Sequence, residues 1–206
     1  INRFSGFAQF NERLFWNENE IWYNIGIRAQ HWRVRGNGIS SKGQTTISPR
    51  AQFAIKPKWY TDMLFRVSGG WYSQPPSYRE LRDFNGLLNV DVKAQKSLHL
   101  VAGMDYSFDL WNRPFKLTAE IFYKDMTNIN AYSVDNVRIR YRADNLTTAY
   151  ANGIDVRLNG EFVPGTESWF SFLPYYSLVL MMNLFLCSIF PNKNSSTLLN
   201  KAAPNS

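Results

Sequence analysis

The sequence predicts an all-β protein made of long antiparallel strands. Three observations support this: apolar and polar residues alternate along most of the chain, the links between the alternating stretches are short and long in turn, and aromatic residues gather near the ends of those stretches. Successive side chains of a strand point to opposite faces, so alternation over about ten residues predicts a strand with one apolar and one polar face.

The clearest alternation covers residues 115–124. One face carries apolar side chains such as Leu117 and Ile121, and the other is mainly polar or charged, as at Lys116 and Glu120. The pattern recurs in six more strand cores, at residues 4–10, 23–28, 50–56, 63–68, 98–108 and 154–159. Residues 167–172 begin another alternating stretch. We therefore expect seven complete strands and the start of an eighth.

The links between these cores alternate in length. Short links at residues 17–20, 57–60, 109–114 and 164–168 are separated by long links at residues 36–46, 74–95 and 130–147. Tight turns at one end and long loops at the other are typical of a transmembrane β-barrel, whose strands need about 9–11 residues to cross a bilayer. Aromatic residues near the strand ends fit interfacial girdles; they include Trp16, Trp22, Trp32, Trp59, Tyr60, Trp71, Tyr72, Trp111 and Trp169. The sequence therefore predicts an antiparallel transmembrane β-barrel.

A soluble antiparallel sandwich with one wetted face is the alternative fold, because its strands also alternate. Sandwich strands usually have about five or six residues, and their links rarely alternate so regularly in length. The length of the alternating stretches thus favours the membrane barrel.

The composition excludes several other classes of protein. A mean hydropathy of −0.34 excludes a bundle of membrane helices, and 15 Phe, 11 Tyr and 7 Trp exclude a disordered chain. One Cys and two His exclude a disulfide framework and leave too few ligands for a Cys/His zinc site. The net charge is +7, but the 23 Lys and Arg are spread along the chain, so we expect no nucleic-acid partner.

The sequence offers no catalytic constellation, and we expect no enzyme activity, no cofactor and no metal site. No phosphate-binding Gly-Lys-Ser/Thr loop and no Gly-x-Ser-x-Gly elbow occurs. His99 falls on the polar face of a strand, and His31 lies near the end of another. Asp105 and Glu120 are expected to face the same lumen in neighbouring strands. Lys116 and Arg157 are expected to neutralise these two carboxylates.

The best basic-aromatic stripe covers residues 137–142, with Arg138, Arg140 and Arg142 at alternate positions. On the barrel interpretation it belongs to a long external loop or to a strand extension beyond the membrane. We expect a solvated polar face there; contact with acidic ligands or lipopolysaccharide phosphates is the functional alternative.

Several segments, in family order, resemble the C-terminal half of the barrel of TonB-dependent receptors, the active-import proteins of Gram-negative outer membranes. The matching segments are residues 7–9 with 26–28, 48–57, 69–81, 89–108, 122–129 and 151–156. The sequence departs from the family in one of them: where the family usually has Lys-Pro-Glu before a Ser, this chain has Lys93-Ala94-Gln95-Lys96-Ser97.

The resemblance implies a location in the outer membrane of a Gram-negative bacterium. It also implies energised import of a bulky nutrient, such as a metal chelate, a vitamin or a glycan. The implied partners are outer-membrane lipid and lipopolysaccharide, a plug domain, a TonB-type energising protein and the small-molecule or oligosaccharide substrate. Ligand contact is expected in the loop at residues 72–82. The candidate ligand-contact residues are Tyr72, Gln74, Tyr78 and Arg79.

Such receptors have about 22 strands around a plugged lumen, so seven or eight strands imply a fragment that is itself inactive. An outer-membrane barrel enzyme and a soluble β-sandwich that binds carbohydrate through exposed aromatics are the alternative functions. The enzyme would need a nucleophile at the edge of the lumen that the sequence does not provide.

The C-terminal part of the chain has a different character. Residues 1–172 are expected to be the partial receptor barrel. Alternation stops at residues 173–190, which carry no charge and hold Cys187. A marginal membrane helix or a buried helix are two interpretations of this apolar run. We favour a third, in which residues 173–206 are a tail unrelated to the family, produced by a frameshift or gene disruption near Phe172.

Overall fold

The computed structural model describes residues 1–36 and 39–181, and within them the protein is all-β. The strands are β1 (Asn2–Trp16), β2 (Asn19–Arg33), β3 (Arg35–Gly36), β4 (Ile39–Ser40), β5 (Gln44–Lys56), β6 (Asp62–Gln74), β7 (Gln95–Leu110), β8 (Arg113–Ile129), β9 (Tyr132–Asp135), β10 (Arg138–Tyr141), β11 (Thr147–Val163), β12 (Thr166–Phe172) and β13 (Tyr175–Met181). One short 3₁₀ helix covers Arg79–Leu81. In these ranges no helix has the length and apolar character needed to cross a membrane.

The long strands form one antiparallel sheet in the order β1-β2-β5-β6-β7-β8-β11-β12, with β13 also paired to β11. The short hairpins β3–β4 and β9–β10 lie within two of the long links. Each long strand therefore pairs with the next long strand along the chain. This confirms the predicted all-β antiparallel fold, and the sheet is not closed within the described residues.

The predicted alternation of short and long links is also confirmed. Asn17 and Glu18 join β1 to β2, and Trp111 and Asn112 join β7 to β8, all four with positive φ. Two-residue turns of this kind match the twist of an antiparallel hairpin. The short links lie at one end of the sheet, which we call the turn end, and the three long links lie at the other, the loop end.

The seven uninterrupted strands have 13 to 17 residues. This is more than the roughly 9–11 residues that cross a bilayer, so the sheet is long enough to extend beyond the hydrocarbon layer. Strands of this length are unlike the roughly five or six residues usual in globular sheets.

β12 and β13 are two parts of one eighth strand. Phe172 pairs with Val156 and Tyr175 pairs with Gly153, so both strands advance by three residues across the gap and the register is unchanged. Pro174 lies in the gap, and its carbonyl accepts a hydrogen bond from the Ile154 amide at 3.1 Å. Proline has no amide hydrogen to donate, which explains the local interruption.

This eighth strand crosses the predicted boundary at residue 172. Residues 175–181 form a strand, so the two helical alternatives are wrong over these residues. Residues 182–206 lie outside the described part of the chain. Whether residues 173–206 are foreign to the family stays a prediction.

The two faces of the sheet differ as the alternation predicts. Ile121 on β8 lies opposite Ile154 on β11, and Phe10 on β1 lies opposite Ile25 on β2. These side chains are about half exposed, at 57%, 47%, 57% and 57% respectively. A continuous apolar face of this kind is what a barrel presents to lipid, whereas in water it would promote association.

A second sheet that would cover the apolar face is not found among the described residues. In a sandwich the two inner faces interdigitate and bury each other. Here the cluster of buried hydrophobic residues lies in the long links instead, around Leu81 and Val92. The described fold thus gives no support to the sandwich alternative.

Aromatic rings gather at the turn end. Phe115, only 2% exposed, packs against Phe108, Trp111 and Phe162, with ring centroids 5.1 to 6.1 Å apart. Gly160 lies opposite Phe115 on β11 and makes room for its ring. Of the aromatic residues predicted near the strand ends, Trp111 belongs to this group.

Candidate functional site on the polar face and outer loops

The three long links pack together at the loop end. Val34 follows β2, Leu81 ends the 3₁₀ helix, Val92 precedes β7 and Ala143 follows β10, and these four buried residues form one cluster. Leu81 is completely buried. We call these four residues the loop cluster. Because each long link contributes to it, the links form one folded unit.

Asparagine side chains connect the same links through backbone groups. Asn130 donates to the Glu80 carbonyl at 2.8 Å and accepts from the Ala143 amide at 2.7 Å. Asn145 accepts from the Lys93 amide at 2.7 Å and also donates to the Asn128 carbonyl at 2.7 Å. An amide side chain both donates and accepts, so it can satisfy two backbone groups that face it from different segments.

The β6–β7 link also reaches across the sheet to β1. The Arg3 guanidinium donates to the Pro76 carbonyl at 3.3 Å and contacts the Pro75 carbonyl at 3.5 Å. This link therefore lies over the loop end of the polar face, from β6 to the edge strand.

The four predicted ligand-contact residues divide into two groups. Tyr72 and Gln74 lie on the last part of β6 and line a cavity of about 320 Å³. Tyr78 and Arg79 lie in the β6–β7 link outside that cavity. Tyr78 is held by Arg82, which donates to its hydroxyl at 2.9 Å and lies 5.5 Å from its ring centroid. The role of all four residues in ligand binding stays a prediction.

The cavity at Tyr72 is lined by residues of β6, β7 and β8. The Tyr72 ring lies against His99, with ring centroids 4.5 Å apart, and Lys124 and Met126 also contribute to the wall. A second cavity of about 280 Å³ lies beside it and is lined by Gln9, Arg50 and Tyr72, among others. Tyr72 is thus shared by two neighbouring cavities on the polar face.

Nearer the turn end, the polar face carries a network of ion pairs. Asp105 on β7 accepts from Arg66 at 2.9 Å, from Lys116 at 3.1 Å and from the Thr118 hydroxyl at 3.0 Å. Arg66 also binds Glu120 at 2.5 Å. Both carboxylates are therefore occupied by basic groups, an arrangement that supports the sheet rather than proton transfer.

The sequence prediction for this network was partly right. Asp105 and Glu120 do lie on one face, and Lys116 does neutralise Asp105. The predicted pairing of Arg157 with Asp105 or Glu120 is wrong. Arg157 lies 3.9 Å from Asp155 on its own strand and pairs with neither of the two predicted carboxylates. The prediction missed Arg66, which joins both carboxylates from β6, because the register between β6 and β7 cannot be read from the sequence.

The two histidines lie on different strands, His31 on β2 and His99 on β7. His31 near the end of β2 is 2.9 Å from the Thr45 hydroxyl on β5, and His99 lies on the polar face as expected. In residues 1–36 and 39–181, no group of three or more His, Cys, Asp or Glu side chains could hold a metal ion.

The basic stripe lies in the β9–β10 hairpin of the third long link, as the sequence predicts, and the external position of this loop stays a prediction. Val134 and Ile139 pair on one face of the hairpin, and Val137 at its turn is 95% exposed. Arg142 follows the hairpin and pairs with Asp144 at 2.9 Å.

Comparisons with known proteins give one match at the level of structure. The chain is similar to the copper transporter OprC, with a TM-score of 0.60 and 14% sequence identity. The likeness covers 87% of this chain and 29% of the chain of OprC. No protein-family model and no curated protein matches the sequence.

The likeness to OprC shows that the two chains share a fold. This chain spans 29% of the length of that structure.

Proposed function

We propose that the chain forms part of the barrel of an outer-membrane TonB-dependent receptor that imports a bulky nutrient by energised transport. The observation that carries this proposal is the sheet itself: eight long antiparallel strands, joined in turn by tight turns and by structured loops, with one apolar and one polar face. The family resemblance of the sequence and the fold likeness to a copper transporter support it.

The open edges of the sheet support the idea of a larger barrel. All fifteen residues of β1 are exposed, and its outer edge pairs with no strand among the described residues. In lipid, an unpaired row of backbone N–H and C=O groups costs several kcal/mol per group. Further strands must therefore pair with β1 and with the β12–β13 strand to complete a barrel, which we infer to have about 22 strands.

The complete receptor would need further parts besides these strands. A plug domain would fill the lumen, a TonB-type protein would supply the energy, and the substrate would bind at the loop end. The eight strands alone do not close a barrel and would transport nothing. The substrate classes remain a metal chelate, a vitamin or a glycan; the name of OprC makes a copper complex one candidate among the chelates.

We further propose that residues 1–172 are the receptor part and that residues 173–206 are a tail of other origin. The apolar, uncharged run at residues 173–190 supports this. The strand pairing of residues 175–181 is compatible with it, because the backbone hydrogen bonds of a sheet do not depend on side-chain identity.

Membrane fractionation of cells that carry the gene tests the proposal. The expected result is a protein that sediments with the outer membrane and needs detergent for extraction. Hydrolysis of phospholipid or peptide by the extracted protein would instead favour a barrel enzyme. Recovery of the protein in the aqueous fraction without detergent would contradict the membrane assignment.

A further inference from the structure

The charges on the polar face are separated along the strands. Toward the loop end, the polar face of the described strands carries the cations Arg3, Arg28, Arg50 and Lys124, together with the His99 imidazole, but no Asp or Glu. Toward the turn end it carries both signs, as in the network of Arg66 with Asp105 and Glu120. A band of neutral residues lies between the two regions and consists of Asn11, Asn24, Gln52 and Ser68.

Three of the basic groups lie in one register row. The row crosses the sheet through paired residues: Gln9, Gly26, Arg50, Gly70, His99, Lys124 and Ala151. We call it the basic row. Neighbouring strands are about 4.8 Å apart, so Arg50 on β5 and Lys124 on β8, three strands apart, are separated by about 14 Å at the backbone.

Two glycines leave space for the Arg50 side chain. A Cβ atom at Gly70 would lie 2.7 Å from the Cβ atom of Arg50, and one at Gly26 would lie 3.1 Å from its Nε atom. The side chain can therefore lie across the neighbouring strands, and it donates to the Gln9 side chain on β1 at 3.3 Å. The two glycines and Gln9 thus hold the Arg50 guanidinium in one place on the polar face.

The basic groups near the loop end have neutral partners. Arg50 binds an amide, Arg3 binds two backbone carbonyls, and Arg28 binds the Gln30 amide oxygen when that side chain is oriented to satisfy its neighbours. In the part of the chain that the structure describes, no ion pair involves Arg3, Arg28, Arg50 or Lys124. Unpaired charges of one sign along a cleft raise the local concentration of ions of the opposite sign.

The basic row also coincides with the two cavities on the polar face. The cavity of about 280 Å³ contains Arg50, and that of about 320 Å³ contains His99 and Lys124. Tyr72 lies between them and lines both. Its ring offers a flat surface to the body of a molecule whose ends reach the basic groups.

We propose that the basic row is a binding subsite for a polyanionic ligand. Arg50 binds one anionic group and Lys124, with the N–H of the His99 ring, binds another; the backbone positions of Arg50 and Lys124 are about 14 Å apart, and Tyr72 packs against the body of the ligand. The ligand carries two or more carboxylate, sulfate or phosphate groups. This inference rests on the proposed import function and narrows its substrate class to anions.

The test uses outer membranes of cells that express the chain from its own gene, with radiolabelled sucrose octasulfate as the polyanion and radiolabelled sucrose as the uncharged probe. The variants are Arg50→Gln and Lys124→Gln, together with Arg50→Lys and Lys124→Arg, which keep the charge. Lys58→Gln is the matched control, because Lys58 lies at the turn end and pairs with Glu18. Immunoblotting of each membrane preparation measures the amount of protein.

The expected result is saturable binding of the octasulfate, but not of sucrose, that weakens as salt is added. Arg50→Gln and Lys124→Gln each weaken it about tenfold, since a charge-assisted hydrogen bond contributes roughly 1.4 kcal/mol or more. The charge-keeping variants and Lys58→Gln stay within about threefold of the unmodified protein by the same reasoning.

Four outcomes overturn the inference. Equal retention of sucrose and the octasulfate, or an equal loss of binding in Lys58→Gln, excludes anion selection while the protein remains in the outer membrane. Loss of binding in Arg50→Lys equal to that in Arg50→Gln excludes a role for the charge. Absence of the unmodified protein from the outer membrane contradicts the proposed function itself, and this inference falls with it.

Discussion

Arg66 and Asp105 lie on neighbouring strands of the polar face, with the guanidinium Nη1 2.9 Å from the carboxylate Oδ1. Both side chains are largely shielded from solvent, and Arg66 also binds Glu120 on β8. One guanidinium thus connects three consecutive strands, β6, β7 and β8.

Replacement of Arg66 by Met should destabilise the sheet. The Met side chain fills similar space but leaves two carboxylates facing each other without this cation, so we expect a loss of about 1–3 kcal/mol in the free energy of unfolding. Urea titration in detergent, followed by tryptophan fluorescence, measures the change. Lys58→Met should have no measurable effect, because the Lys58–Glu18 pair is exposed; an equal loss in both variants would contradict the structural role of Arg66.

Replacement of Gly160 by Ala should disturb the aromatic group at the turn end. The added Cβ atom would lie 2.1 Å from Cδ1 of the buried Phe115 ring, so the ring or the strand must move. Overpacking of this kind costs about 1–3 kcal/mol. Gly6→Ala is the control, since a Cβ atom at Gly6 meets nothing within 4 Å. The same urea titration should separate the two variants, and equal midpoints would contradict the packing described here.

Replacement of Leu81 by Ala should loosen the outer loops and leave the sheet intact. Leu81 is completely buried in the loop cluster, and a buried Leu→Ala change costs about 2–5 kcal/mol. Limited proteolysis should therefore cut within residues 75–94 much faster. Leu87→Ala in the same link is the control, because Leu87 is 67% exposed. Unchanged cleavage in the Leu81 variant would show that the loops do not depend on this cluster.

Sequencing of the genomic DNA upstream of Ile1 and across codon 172 tests the origin of the tail. We expect a plug-coding region upstream and, beyond codon 172, another reading frame in which alternation of apolar and polar residues resumes. A gene disruption would join unrelated codons at that point and leave the displaced frame readable. Finding no alternation in either of the other frames would remove the basis for a frameshift.

Much of the fold follows from the sequence because a strand has a period of two. The alternation at residues 115–124 identifies both the strand and its two faces, and the link lengths identify the two ends of the sheet. Two-residue turns such as Trp111-Asn112 even fix the register of the strands they join.

The candidate site follows from the sequence only in part. Arg50, His99 and Lys124 meet in one row because of the registers between β5, β6, β7 and β8, and the link after Lys56 is too long to set its register by itself. The loop cluster brings together residues that are far apart in the sequence, such as Val34 and Ala143. A local sequence pattern cannot predict such contacts. Tyr72 and Gln74 are predicted from the sequence as part of a loop at residues 72–82, whereas the structure places both on β6. Arg66 and Arg50 carry no local signal in the sequence.

Lipid contact along β8 tests the membrane assignment most directly. Cys187 is replaced by Ser, and single cysteines at Leu117, Thr118, Ala119, Glu120 and Ile121 are labelled with a fluorophore in outer membranes. Nitroxide-bearing lipid should quench the labels at the odd-numbered positions and spare those at positions 118 and 120, because successive side chains alternate between lipid and the polar interior. Equal quenching at odd and even positions, or no quenching at any position, would contradict a membrane-spanning sheet and with it the proposed transport function.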